Sequence, residues 1–115
     1  MEPAKLIFMK KLTGFKKKTA VFISGTGTNL YNLIKFSNKK FSPISICLVI
    51  SNTSKANGLV YARKNNIDNK IFDFKNDKRD EKKILRYLRK YEIDLICLAG
   101  FMKILSINFI SNFEG

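Results

Sequence analysis

Gly25, Gly27, Thr28 and Asn29 stand together in "AVFISGTGTNL", residues 20–30, where an apolar run meets two glycines and a helix-like pattern begins. Lacking Cβ atoms, the two glycines allow a sharp turn and a close approach of backbone to ligand. The N–H groups of Gly27, Thr28 and Asn29 would open the following helix, where unpaired donors and the helix dipole favour a phosphate. The Thr28 hydroxyl and the Asn29 amide can add hydrogen bonds. The pattern is not a dinucleotide fingerprint. Leu30 replaces the third glycine of G-x-G-x-x-G, and the second strand ends in Ser51-Asn52 rather than in an acid for a ribose hydroxyl. Nor is it a P-loop, since no G-K-[ST] follows. From spacing alone the turn is either a mononucleotide-type phosphate site or a bare β–α turn.

Other reactive groups are few. The 115 residues contain no histidine, so no imidazole serves as general acid, general base or metal ligand. Cys47 and Cys97 lie inside "SICLVI" and "LICLAG" with no second cysteine at metal spacing, which reads as buried reduced thiols in a cytoplasmic protein. No metal site is expected.

The formal charge of +13 raises nucleic acid or an anionic membrane as partners. The basic residues are scattered along the chain, however, at Lys16–Lys18, Lys39, Lys40, Lys82, Lys83, Arg86, Arg89 and Lys90. No aromatic residues interleave with them as a base-stacking platform needs. A lysine-rich solvated surface is the simpler reading, with neither nucleic acid nor membrane as partner. A basic nucleic-acid-binding protein remains a third class of function; it would show steeply salt-dependent binding. The N-terminal apolar run, residues 6–9, is too short for a signal peptide or a membrane span. Residues 1–18 read as a basic, mobile extension, and residues 19–115 as one domain with enough apolar content, 45%, for an ordinary core.

The elements that must position the glycine turn follow in order. Residues 19–24 form a strand apolar on both faces, and residues 28–36 carry Leu30, Leu33 and Ile34 at helical spacing. Residues 44–51, "ISICLVIS", are a second buried strand. Ala56, Leu59 and Ala62 share a helical face, with Gly58 a weak spot in that helix. Residues 70–74, "KIFDF", alternate like an edge strand. Asn76 or Asp77 caps a helix with Asp80 and Glu81 in its first turns, Arg89 and Lys90 in its last, and an inward stripe of Ile84, Leu88 and Tyr91. Residues 94–100, "DLICLAG", are a fourth strand, and Ser106 caps a further helix in "SINFISNF". Alternating strands and helices, with strands apolar on both faces, predict an α/β fold with a doubly wound parallel sheet of order 3-2-1-4. Its switch point places "GTGTN" and "GFMKIL" side by side in one crevice.

With the crevice placed, "VFISGTGTNL", "VISN" followed by "GLVYA", and "LAGFMKILS" together resemble the N-terminal half of the phosphoribosylglycinamide formyltransferase family, folate-dependent and Rossmann-like, over residues 19–115. The resemblance implies formyl transfer from 10-formyltetrahydrofolate, the co-substrate, to glycinamide ribonucleotide in purine biosynthesis. It implies that Gly27, Thr28 and Asn29 hold the substrate 5′-phosphate. Met102, Lys103, Ile104 and Leu105 match the loop that cradles the pteridine, largely through backbone groups, and Arg79 matches a folate-contacting arginine. Lys103 replaces an arginine of the family pattern, which keeps the charge and loses the planar fork. On spacing alone, Met102, Ile104 and Leu105 read rather as core packing after a strand, and Arg79 rather as a solvated residue at a helix start.

The family's catalytic asparagine and histidine, in N-x-H-P-S, and its aspartate would fall beyond "SNFEG", so no catalytic residue is assigned. The expectation is a chain truncated before its catalytic half and inactive alone, with an open apolar edge on the fourth strand. That edge would self-associate or take a complementary C-terminal half. The alternative is a non-catalytic phosphate- or nucleotide-binding α/β module.

Overall fold

The computed structural model describes the backbone of Lys5–Met9 and residues 16–25 and 27–113. Strands β1 (Lys5–Met9), β2 (Lys17–Ile23), β3 (Ile44–Ser51), β4 (Asp68–Ile71) and β5 (Leu95–Ala99) form one sheet in the order β1-β5-β2-β3-β4. Helices α1 (Thr28–Ser37), α2 (Gly58–Lys64), α3 (Asp77–Lys90) and α4 (Ile107–Phe113) alternate with them. β2 runs parallel to both β3 and β5, and β3 parallel to β4. Those four strands have the expected 3-2-1-4 order, so the switch point lies between β2 and β5.

Period-two alternation sends each central strand's side chains into two separate cores. Ala20 and Phe22 of β2, Leu48 and Ile50 of β3 and Ile96 of β5 pack with Ile84 and Leu88 of α3 and Phe109 and Phe113 of α4. Val21 and Ile23, Val49, and Cys97 and Ala99 point the other way, against Leu30 and Ile34 of α1 and Leu59 and Ala62 of α2. Phe22 is fully buried and meets the Phe101 ring edge-on, with centroids 5.4 Å apart. Cutting such a side chain to alanine costs about 3–5 kcal/mol.

Where the sequence reading expects a mobile extension over residues 1–18, the structure has two pieces of sheet. Lys17 and Lys18 already pair with Ile44 and Ser45 as the start of β2. Lys5–Met9 form β1, antiparallel to β5, with Lys5 opposite Leu98 and Met9 opposite Leu95. The edge of the fourth predicted strand is therefore paired within the chain rather than open. A four-residue apolar run carries no helical or alternating signature of its own, and its strand exists through β5's unsatisfied N–H and C=O groups. The rest of the extension, residues 1–4 and 10–15, lies outside the described residues.

The third predicted strand begins two residues earlier than expected, at Asp68. Phe72 N–H still reaches the Ser51 carbonyl at 2.9 Å, but Phe74 turns the chain with φ +59° and drops its ring into the core. Asn76 is the α3 cap, its Oδ1 accepting from Arg79 N–H at 3.1 Å. Ser106 caps α4 through a 3.0 Å bond from Phe109 N–H.

Candidate functional site

β2 ends at Ile23, and Gly27 opens α1 with φ +83°, a left-handed conformation that suits glycine. Its carbonyl accepts the first helical bond, from Tyr31 N–H at 2.8 Å. No side chain caps α1, and no acidic residue stands in its first turn, so nothing in that turn offsets the positive end of the helix. Thr28 is exposed and Asn29 half-buried there. Thr26 lies outside the described residues.

Gly27 has a second reason to lack a side chain. A Cβ on it would come within 2.2 Å of the Gly58 Cα, and one on Gly58 within 2.9 Å of the Gly27 Cα. Gly58 N–H donates to the Gly25 carbonyl at 3.3 Å. Gly58, a weak spot by propensity, is thus the place where α2 starts against the turn. Around an added Cβ at Gly25 nothing lies within 4 Å. Beside the same turn, Asn52 N–H bonds the Ile23 carbonyl at 3.4 Å, and the Asn52 side-chain carbonyl is buried without a hydrogen-bond partner among the described residues. In the sequence Asn52 stands where a ribose-binding acid would and closes the "VISN" segment of the family resemblance.

The loop after β5 meets the turn directly. Met102 N–H donates to Ser24 Oγ at 2.8 Å, joining the ends of β2 and β5 across the switch point. Met102 is 79% exposed and Ile104 92%, so neither is the core packing that spacing alone favours. Leu105 does pack partly against the core beneath α3 and α4, and Phe101 anchors the loop's start against Phe22 and Phe74. Lys103, which is exposed, Ile104 and Leu105 make no hydrogen bond among the described residues.

At its far end the loop is held by α3. Glu81, 7% exposed, accepts from Ser106 N–H at 2.8 Å on Oε2 and from the Ser106 hydroxyl at 2.6 Å on Oε1. Asp80 is buried too, its Oδ2 accepting from Phe74 N–H at 2.9 Å. The sequence reading gave both acids only a helix-dipole role. Their partners lie outside the helix, six residues before Asp80 and 25 after Glu81, where helical periodicity does not reach.

Arg79 is exposed in the first turn of α3, its Nε 3.7 Å from Asp80 Oδ1. A groove of about 630 Å³ runs between α3 and the loop into α4, lined by Lys78, Glu81, Lys82, Ile104, Ser106 and Asn108 among others. Its cations are Lys78 and Lys82; Arg79 does not line it. The structure thus brings residues 27–29 and 102–105 to one end of the sheet and leaves Arg79 on the neighbouring helix. A second groove of about 460 Å³ gathers Lys70, Lys83, Arg86 and Lys90 around Phe72 and Tyr87, with Lys70 Nζ 5.2 Å from the Tyr87 ring centre. Basic residues that are scattered in sequence are close to one another, and to aromatic rings, in the fold.

Residues 17–115 match the family described as Formyl transferase. The chain belongs to the formyl transferase family. Among its relatives it is 42% identical over 102 residues to a protein named phosphoribosylglycinamide formyltransferase from Haemophilus influenzae, covering 86% of this chain and 48% of that one. It is 43% identical over 108 residues to the trifunctional purine biosynthetic protein adenosine-3 of Gallus gallus, covering 91% of this chain and 11% of that one. The crystal structure of phosphoribosylglycinamide formyltransferase from Brucella melitensis superposes with a TM-score of 0.81 at 36% identity, over 87% of this chain and 54% of that one. The chain spans about half the length of the Haemophilus influenzae and Brucella melitensis proteins and about a tenth of the Gallus gallus one. The family match begins at the first residue of β2, so β1 lies outside it.

Proposed function

We propose that this chain carries the substrate-phosphate and folate-binding part of a phosphoribosylglycinamide formyltransferase, in the cytoplasm, acting in purine biosynthesis. The reaction moves a formyl group from N10 of 10-formyltetrahydrofolate to the amine of glycinamide ribonucleotide: the amine nitrogen bonds to the formyl carbon, the N10–carbon bond breaks, and a proton passes from the amine to N10. The roles assigned to residues here are those of binding. Gly27, Thr28 and Asn29 take the 5′-phosphate at the start of α1, where helix N–H groups and dipole favour an anion. The pteridine lies on the loop, reading backbone groups of Lys103, Ile104 and Leu105, with Met102 and Ile104 as apolar contacts and Arg79 nearby on α3.

The observation that carries this reading is the Met102 N–H to Ser24 Oγ bond of 2.8 Å. It fixes the two loops edge to edge, so one ligand on each would place their reacting ends together. Exposed apolar side chains beside unpaired backbone groups fit a flat heterocycle better than they fit water. Neither nucleic acid nor membrane is among the proposed partners; a complementary chain bearing the remaining part of a family member is. Such a chain, pairing at β5, would meet β1 there.

Calorimetric titration tests the reading, using glycinamide ribonucleotide, its riboside without phosphate, and 5-formyltetrahydrofolate as a stable folate probe. The ribonucleotide should bind and the riboside should not, and Asn29→Ala should weaken the ribonucleotide by about 1.5–3 kcal/mol, the range for a hydrogen bond to a charged group. Equal binding of ribonucleotide and riboside would sink the phosphate assignment.

A further inference from the structure

We infer that Glu81 is a positioning residue for the ligand loop, holding residues 102–106 in place from α3. This rests on the function proposed above and extends it to a side chain that no sequence motif marks. The loop leaves β5 through Gly100, which has φ +76° and nothing within 4 Å of where a Cβ would stand, so no side-chain packing holds the loop at that point. Two tethers do. At the start, Ser24 Oγ accepts from Met102 N–H. At the end, both oxygens of one carboxylate are spent on Ser106, one on its N–H and one on its hydroxyl. Between the tethers Lys103, Ile104 and Leu105 have no hydrogen bonds of their own among the described residues. With Phe101 and Leu105 packed against the core, the exposed Lys103 and Ile104 between them take their geometry from where the ends of the loop are held.

Glu81 is not needed merely to cap α4. Ser106 Oγ already accepts from Phe109 N–H, which is the capping bond. Nor is Glu81 neutralised by a cation; the ion pairs among the described residues are Lys18 with Glu92 and Arg79 with Asp80. A buried carboxylate is costly unless its hydrogen bonds are made, and here the donors are both on the loop's last residue. The arrangement therefore couples α3, two residues beyond Arg79, to the loop that presents Met102 and Ile104. A ligand loop pinned at both ends loses less freedom on binding than one that must be ordered by the ligand.

Two readouts test this on the full chain. In Glu81→Ala, amide hydrogen exchange should speed up at residues 102–106 while β2 and β5 amides keep their protection. Affinity for 5-formyltetrahydrofolate should fall about tenfold, as for loss of a charge-assisted bond, while affinity for glycinamide ribonucleotide stays the same. Glu81→Gln keeps an acceptor for Ser106 N–H and an amide that can donate to its hydroxyl, so it should recover most of both effects. Should Glu81→Ala fail to fold, Glu81→Asp, whose shorter side chain draws the carboxylate away from Ser106 while leaving the α4 cap in place, should show the same selective change at smaller amplitude. Unchanged loop exchange overturns the inference, as does an equal loss of both affinities, which would indicate a general loss of stability. Absence of folate binding by the unsubstituted chain would defeat the proposed function instead, and the exchange data would still decide whether Glu81 holds the loop.

Discussion

Gly27 and Gly58 lie against each other at the mouth of the crevice, so close that a methyl group on Gly27 would sit 2.2 Å from the Gly58 Cα. The contact is backbone on backbone, and neither partner can swing aside. Gly27→Ala combines this clash with a residue held at φ +83°. It should lower stability by about 2–4 kcal/mol, seen as a lower denaturant midpoint. Gly25→Ala, with open space around it, should stay within about 0.5 kcal/mol of the unsubstituted chain. A large effect at Gly25 would show that the turn differs from the one described. A Gly27 variant is thus a poor probe of ligand binding, because it disturbs the packing of α2 first.

β1 covers one edge of the sheet. Removing residues 1–10 should uncover the β5 edge and promote strand pairing between copies. Sedimentation over a range of concentrations should show more self-association for the shortened chain than for the full one. A shortened chain that stays monomeric would mean that β5 does not need β1 to keep it from pairing.

Tyr91 bonds through its hydroxyl to Asp68 Oδ2 at 2.6 Å, and this bond, with some burial and the Asp68 charge, pushes its pKa up from 10.0 to about 12. The folded state therefore favours the neutral phenol. Its contribution to stability is fully present below pH 10 and is lost as pH rises from 10 toward 12. It should be small, because the site is solvent-accessible. Absorbance titration should find one tyrosine ionising about two units late, and Tyr91→Phe should remove that component. A normal titration of all four tyrosines would contradict the bond.

Burial pushes the Cys97 thiol up, while Cys47 sits half-buried at a register irregularity where β3 passes from Ile46 to Leu48 opposite Thr19 and Ala20 of β2. At pH 8 a thiol reagent should modify Cys47 at least about tenfold faster than Cys97, since the thiolate is the reactive form and must be reachable. Cys47→Ser should leave only the slow phase. Two equal rates would place Cys97 nearer the surface than the core it lines.

The sequence by itself determined the frame. β2, β3 and β5 are apolar on both faces, which only a sheet covered on two sides can satisfy, and the strand order and switch point follow from the alternation with helices. Asn76 and Ser106 announced their helices because a cap bonds residues only three positions away. The glycine turn and the loop after β5 were legible as neighbours for the same topological reason. What the tertiary structure alone decided were the relationships between residues far apart in the chain. Phe74, turning the chain at positive φ, ends β4 earlier than its alternation suggested. Lys5–Met9 became a strand because β5 offered an unpaired edge. Gly58 proved to be a fitting surface for Gly27, and Glu81 a tether for Ser106, 25 positions on. Whether Met102 and Ile104 face solvent or core could not be read from periodicity, because a loop has none. Local patterns record what each segment must bury; only packing says which distant group meets it there.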